Sequence, residues 1–262
     1  VSAIELAFGR AAEFFADRQS RPGVLARQLV GRDTPDDPGL AEILSRERRA
    51  ATRADGSIGG SVVATAWAAL EMMDLGSDWL HAGLDRLLSW VMKQLEGNLP
   101  MDPAPLVLPN GARFDDPEHA AAAGRCLALR ALVRARRDQR PGIARLMDDL
   151  ADAKGRHPIT LDLSASALSA LALAPPEHRH HLEGLIARVA RAQGHDGDWP
   201  EGDLMHVLDA LLVAGVRSAR VAVARAAPAL LARQRPDGSF DTPAHEERAL
   251  IGLRALQIAL ED

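Results

Sequence analysis

The sequence predicts an all-α fold in which about six helical hairpins close into a double ring, an α/α toroid. Three observations carry that expectation. First, a short turn recurs. Gln193-Gly194-His195-Asp196-Gly197-Asp198-Trp199 and Gln234-Arg235-Pro236-Asp237-Gly238-Ser239-Phe240 both read Q-x-x-x-G-x-aromatic. Thr52-Arg53-Ala54-Asp55-Gly56-Ser57-Ile58 is a degenerate third copy, and Asn110-Gly111-Ala112-Arg113-Phe114 a worn candidate for a fourth. Second, the helical stretches between the turns are of two alternating kinds, one half-apolar and one apolar or small on nearly every side. Third, long β-branched or alternating runs, the signals of strands, do not occur.

In chain order, helices are expected near 3–17, 22–31, 38–53, 60–75, 78–96, 117–136, 140–153, 162–173, 177–193, 203–214, 217–234 and 244–260, set apart by clusters of Pro, Gly and Asp. The stretch 78–96 is amphipathic, with Leu80, Leu84, Leu87, Leu88, Val91 and Leu95 on one face and Asp85, Arg86, Lys93 and Glu96 opposite. By contrast, Val62–Leu70 and Leu163–Leu171 are apolar or small all round, so they need cover on every side. An outer ring that meets water and an inner ring between it and a central cavity would give both kinds their place. In each repeated turn the Gly can end the outer helix in a left-handed conformation, the Asp can bond the turn backbone, and the bulky residue can wedge between hairpins.

The chain has 262 residues and no linker-like segment, so residues 1–262 are expected to form one domain. A formal net charge of −5 argues against nucleic acid or an anionic membrane as a partner. Cys126 is the only cysteine, which leaves no disulfide framework or multi-cysteine metal site. No apolar run is long enough to span a membrane and the first residues lack a signal peptide's pattern, so a cytoplasmic location is expected. The Arg-dominated basic set and heavy Ala content suggest a GC-rich bacterial genome.

The Q-x-x-x-G-x-W turn resembles the QW repeat of squalene and oxidosqualene cyclases and the related repeat of protein prenyltransferase β subunits. That resemblance implies an α/α toroid acting on isoprenoids. The chemistry of neither family transfers directly. The D-x-D-D acid of class II cyclases has no counterpart, since Asp33-Thr34-Pro35-Asp36-Asp37 carries one spacer too many. The zinc-binding Asp-x-Cys of the prenyltransferases is also missing, because Cys126 follows Gly124-Arg125.

If the inner helices run parallel, their first turns collect a polar set at one mouth: Asp116, Glu118 and His119; Asp162; Asp203 and His206; His245, Glu246 and Glu247. Such a set suits acid–base chemistry or a metal site, although no H-x-x-x-H spacing supports the latter. For Asp116, Glu118, Asp162, Asp203 and Glu247, capping of helix N-termini is the plainer reading. His206 stands in an otherwise apolar stretch with Asp209 at i+3, which makes either an oriented general base or a satisfied buried pair. The candidate catalytic set is therefore His206, Asp209, Glu246, Asp162 and His119, with Trp67, Arg125 and His245 as substrate-binding residues and no metal or cofactor. Arg125 and Arg130, both on an expected inner helix, need a carboxylate partner or an anionic ligand group. Ser164, Ser166 and Ser169 read as packing residues, because no G-x-S-x-G surrounds them. His178, His180 and His181 should lie in water at the start of an outer helix.

Two functions follow. One is an atypical enzyme that cyclises or isomerises a small hydrophobic, isoprenoid- or polyketide-like molecule in the central cavity. The other is a non-catalytic toroid that binds a hydrophobic ligand or a partner protein. A carbohydrate-active barrel would want aromatic stacking platforms, and the chain has four Trp, five Phe and no Tyr.

Overall fold

The computed structural model describes the chain except for residues 79–80, 152–159, 176–178 and 262. Leu80 and His178, with the side chain of His180, lie outside the described residues. The helices come close to those the sequence predicts: α1 (Ala3–Phe14), α2 (Arg21–Leu29), α3 (Asp37–Ala51), α4 (Val62–Asp74) and α5 (Ala82–Glu96), then α6 (Pro117–Arg134), α7 (Pro141–Ala151), α8 (Leu161–Leu171) and α9 (Arg179–Arg191), and finally α10 (Leu204–Ala214), α11 (Arg217–Arg225), α12 (Ala227–Arg233) and α13 (Glu246–Glu261). Two strands, β1 (Leu106–Val107) and β2 (Arg113–Phe114), form a small antiparallel hairpin between α5 and α6.

The helices close into two concentric rings. Around the inner ring α2 packs on α4, α4 on α6, α6 on α8, α8 on α10 and α10 on α13, and α13 returns to α2. Outside it stand α1, α3, α5, α7, α9 and the α11–α12 pair. The two kinds of helix have the burial that the rings require. Of α4, Val62, Ala66, Ala69, Leu70 and Met72 are all buried, whereas α5 buries only the Leu84–Leu87–Leu88–Val91–Leu95 stripe. α8 joins the two main apolar clusters, with Leu161, Ala165 and Leu168 in one and Ala167 and Ala170 in the other.

The repeated turns share one geometry. In each, the glycine is left-handed: Gly56 at φ +98°, Gly197 at +85° and Gly238 at +89°. Its N–H donates three residues back, to Arg53, Gly194 and Arg235 respectively. The Asp before it accepts from the backbone two residues on, Asp55 from Ser57, Asp196 from Asp198 and Asp237 from Ser239. A Cβ on Gly197 would stand 2.3 Å from the Arg225 carbonyl oxygen, and one on Gly238 2.2 Å from that of Arg10, so the turns press against the next outer helix. Trp199 and Phe240 are fully buried, with the Trp199 indole N–H donating to the Val189 carbonyl at 2.8 Å. Gln193 donates to the carbonyls of Gly197 and Ala222, both at 3.0 Å. The bulky residue wedges, as the sequence suggests, and the Gln stitches the turn to the next helix.

Two elements differ from expectation. The stretch 217–234 is two helices, because Pro228 lacks the N–H that would continue one helix and falls instead in the first turn of α12. The β hairpin was not legible because each strand is only two residues long. Its tip has the same backbone as the repeated turns: Gly111 is at φ +88°, Gly111 N–H donates to Leu108, and Asn110 Oδ1 accepts from Ala112 N–H. The aromatic residue is displaced by one place, to Phe114, and the tip turns inward.

Candidate functional site

A cavity of about 200 Å³ lies on the axis of the inner ring, and every inner helix except α8 lines it; α8 contributes Leu173 from just beyond its end. One stripe of each helix faces inward at helical spacing. α4 presents Trp67, Leu70 and Asp74; α6 presents Arg130 and Arg134; α10 presents Asp209 and Val213. α13 presents Glu247, Leu250, Ile251 and Arg254, an i, i+3, i+4, i+7 series that puts an acid, two aliphatic groups and a guanidinium in a row. Arg21 enters from the first residue of α2, and Asn110 from the hairpin tip.

The cavity is therefore amphiphilic, and its ionisable groups are not gathered at one mouth alone. Its charged groups also come from mixed levels. Asp74 and Arg134 end their helices, whereas Arg21 and Glu247 begin theirs. First turns alone do not build the site.

Six of the seven charges are paired, in one four-membered set and one separate pair. Arg21 donates to Asp74 from Nε at 2.8 Å and pairs with Glu247, and its guanidinium stacks over the Trp67 ring at 5.0 Å. Arg134 reaches the other oxygen of Asp74 at 2.5 Å. Arg130 binds Asp209 at 2.7 Å. Burial alone would raise Asp74 and Asp209, but the neighbouring guanidiniums outweigh it. Arg21 and Arg134 hold Asp74 below the usual carboxylate range, and Arg130, helped by His206 and Arg254, does so for Asp209.

Glu247 goes the other way. Burial pushes its carboxyl up, Arg21 pulls it back, and Asp209, Glu71 and Asp74 push it up again, to about 7. Its partner Arg21 is nonetheless shifted toward the charged form, because Arg21 faces two carboxylates while Glu247 faces one guanidinium and three further acids. The cavity thus holds two carboxyl groups driven apart, a pattern that separates an acid from a base.

His206 is 3% exposed and lies in a recess of about 10 Å³ that shares Trp67, Asn110, Arg130 and Asp209 with the main cavity. Such a recess has room for one water at most. The side-chain amide of Asn110 donates to His206 Nδ1 at 2.9 Å, its orientation set because Oδ1 is taken by Ala112 N–H. Nδ1 must then accept, so the ring carries its hydrogen on Nε2, between the Asp162 carbonyl at 3.0 Å and Ser166 Oγ at 2.9 Å. Asp209 is turned to Arg130 instead. The sequence pairing of His206 with Asp209 as its orienting carboxylate is corrected on that ground; Asn110, Ser166 and Asp162 take that role.

The other predicted residues separate. Trp67 lines the cavity wall, as expected. Asp162 accepts from Asp203 N–H at 2.8 Å, and burial raises its carboxyl. Asp116 and Asp203 cap α6 and α10, as the plainer reading had it. Glu246 accepts from Ser20 Oγ and lies 3.7 Å from Arg18; it is the next residue, Glu247, that enters the cavity. His119 is partly buried in the first turn of α6 and lines neither the central cavity nor the His206 recess. Arg125 is exposed on the side of α6 away from the axis, and Arg130 takes the inward place. His245 is partly buried beside Gly111; burial and the Arg248 charge lower its ring. Arg248, 6% exposed, binds Asp203 at 2.9 Å, Asp241 at 3.1 Å and the Asn110 carbonyl at 3.3 Å, fastening the hairpin tip. Cys126 is buried with its thiol pushed up to about 12, so it packs as a small apolar residue.

Sequence reasoning passed over Arg21, Asp74, Arg134 and Arg254. The available signal was a charge set inside a helix otherwise apolar all round, which must meet a partner or a cavity.

Comparison with known proteins finds no matching family model and no matching curated protein. Solved structures do match. A variant of the type II terpene cyclase MstE from Scytonema, in complex with its substrate geranylgeranyl dihydroxybenzoate, aligns at a TM-score of 0.64 and 13% identity over 98% of both chains. A second substrate-bound variant and the apo enzyme align at 0.56 and 0.57, with 15% and 14% identity, over 97% of this chain and 87% of theirs. The fold is terpene-cyclase-like. At these identities the likeness concerns the fold, and the chemistry rests on the cavity itself.

Proposed function

We propose that this terpene-cyclase-like toroid is an acid–base enzyme that isomerises or cyclises a small, largely apolar molecule in its central cavity. The observation that carries the reading is the pairing, in one cavity, of a protonatable Glu247 with an ionised Asp209 across a wall of Trp67, Leu70, Leu250 and Ile251. Glu247 is the general acid and Asp209 the base. Glu247 gives its proton to a substrate oxygen, Asp209 takes one from a substrate carbon, and the two exchanges leave no redox change.

The acid decides the kind of substrate. A carboxyl group near 7 matches neutral pH but is too weak for a bare alkene, so the reacting group is an activated one, such as an epoxide or an enolisable carbonyl. A cavity of about 200 Å³ is below the roughly 300–1,000 Å³ of sites for drug-sized ligands. The substrate is accordingly smaller than the geranylgeranyl dihydroxybenzoate carried by the MstE structures. His206, with Asp162 and Asn110, supports the cavity floor.

The test is proton transfer itself. The protein is incubated in D2O with terminal epoxides and ketones of short isoprenoids, and deuterium in the recovered compounds is read by NMR. The reading expects rearranged or carbon-labelled product with the native protein and at least a hundredfold less with Glu247→Gln. Equal labelling by both proteins, or none by either, overturns it.

A second reading, a non-catalytic toroid that holds a ligand, draws on the dense pairing of the cavity charges. It expects tight binding with no labelling.

A further inference from the structure

Three carboxylates face four guanidiniums in the central cavity. Asp74, Asp209 and Glu247 are each matched by Arg21, Arg130 or Arg134. Arg254 is left over: it makes no hydrogen bond or ion pair among the described residues, although it is partly buried and lines the cavity. Burial disfavours its charge more than Asp74, Asp209 and Glu247, acting through space, favour it, and none of them is bonded to it. Arg254 lies seven residues beyond Glu247 on the same face, about 10 Å along the axis at 1.5 Å per residue. Leu250 and Ile251 cover the helix between them.

We infer that Arg254 is an anion-binding subsite, and that the ligand of this cavity is an amphiphile with a single compact anionic group at one end. The group seats on Arg254, the chain lies over Leu250, Ile251 and Trp67, and the far end reaches Glu247. Charge selects the head group. The four guanidiniums outnumber the acids whether Glu247 is protonated or ionised, so the lining favours an anion. A diphosphate would overfill the site with negative charge beside Asp74, Asp209 and Glu247. A carboxylate also fits the planar fork of a guanidinium in two parallel hydrogen bonds. This inference rests on the reading of the central cavity as a ligand site, but not on any turnover there.

Its test is equilibrium binding, so a failure of catalysis does not affect it. The native protein and the Arg254→Gln and Arg254→Lys variants are titrated calorimetrically with octanoate and geranate, with the matched alcohols octanol and geraniol, and with octyl phosphate. The acids are expected to bind the native protein at least tenfold tighter than the alcohols do. Arg254→Gln should weaken the acids tenfold or more and leave the alcohols unchanged, and Arg254→Lys should restore part of the loss. Octyl phosphate binding more tightly than octanoate would overturn the carboxylate assignment. Equal affinity for acids and alcohols, or no binding of any acid, would overturn the subsite. Arg254→Gln should melt no lower than the native protein, because no ion pair is broken; a marked drop would show a structural role and sink the proposal as well.

Discussion

Glu247 and Glu246 are adjacent acids in the first turn of α13, yet one enters the cavity and the other bonds Ser20, the N-cap of α2. A helix turns 100° per residue, so neighbours face different surroundings, and the inward one is the more buried, 15% exposed against 25%. The raised carboxyl of Glu247 has a consequence for stability. A carboxyl higher in the folded than in the unfolded chain contributes stability that is present below the unfolded value and lost as pH rises through the folded one. The native protein should lose about 3 kcal/mol from this group between roughly pH 4.5 and 7, and Glu247→Gln should flatten that part of the urea-unfolding profile. An unchanged profile would mean that Glu247 is ionised throughout. His206 supports a different expectation. With both ring nitrogens bonded and 3% exposure, His206→Ala should cost about 2–4 kcal/mol of stability, seen as a lower urea midpoint. The sequence alone left His206 as either a general base or a satisfied buried group; a small loss would return it to the catalytic set.

The repeated turns and the hairpin between α5 and α6 are the informative elements. Three turns lock an outer helix to its neighbour, and their glycines are under a double constraint of left-handed φ and backbone contact. Gly238→Ala should therefore cost on the order of 3 kcal/mol, since its Cβ would stand 2.2 Å from the Arg10 carbonyl oxygen. Gly9, inside α1 with nothing within 4 Å of a Cβ, is the control; Gly9→Ala should stabilise by roughly 0.5–1 kcal/mol. Thermal melts of the two variants should move in opposite directions. The fourth turn shows how an element is diverted. Its glycine and its Asx bond are retained, but Arg113 takes the aromatic place, and Asn110 bonds His206 rather than an outer helix. A wedge side chain drives the other turns between hairpins; without it, the tip is free to fold over the ring.

Across the whole molecule, the ring is tied through its axis. Asp74 of α4 binds Arg21 of α2 and Arg134 of α6, so one carboxylate joins three inner helices. Asp74→Asn should cost about 3–5 kcal/mol, as removing one member leaves buried charge uncompensated. Chemical denaturation would read this; a loss under 1 kcal/mol would mean that the network is solvated and of little consequence to closure.

The sequence by itself determined the helices, their alternation and the turns that join them, because 3.6-residue periodicity, helix breakers and left-handed glycines act over a few residues. It also marked Trp67 and Asp209 as inward. Tertiary structure alone decided which charges meet. Arg21 and Glu247 are 226 positions apart and Arg130 and Asp209 are 79 apart. Whether a carboxyl group is paired, raised or turned to water depends on neighbours that only ring closure brings within a few ångströms.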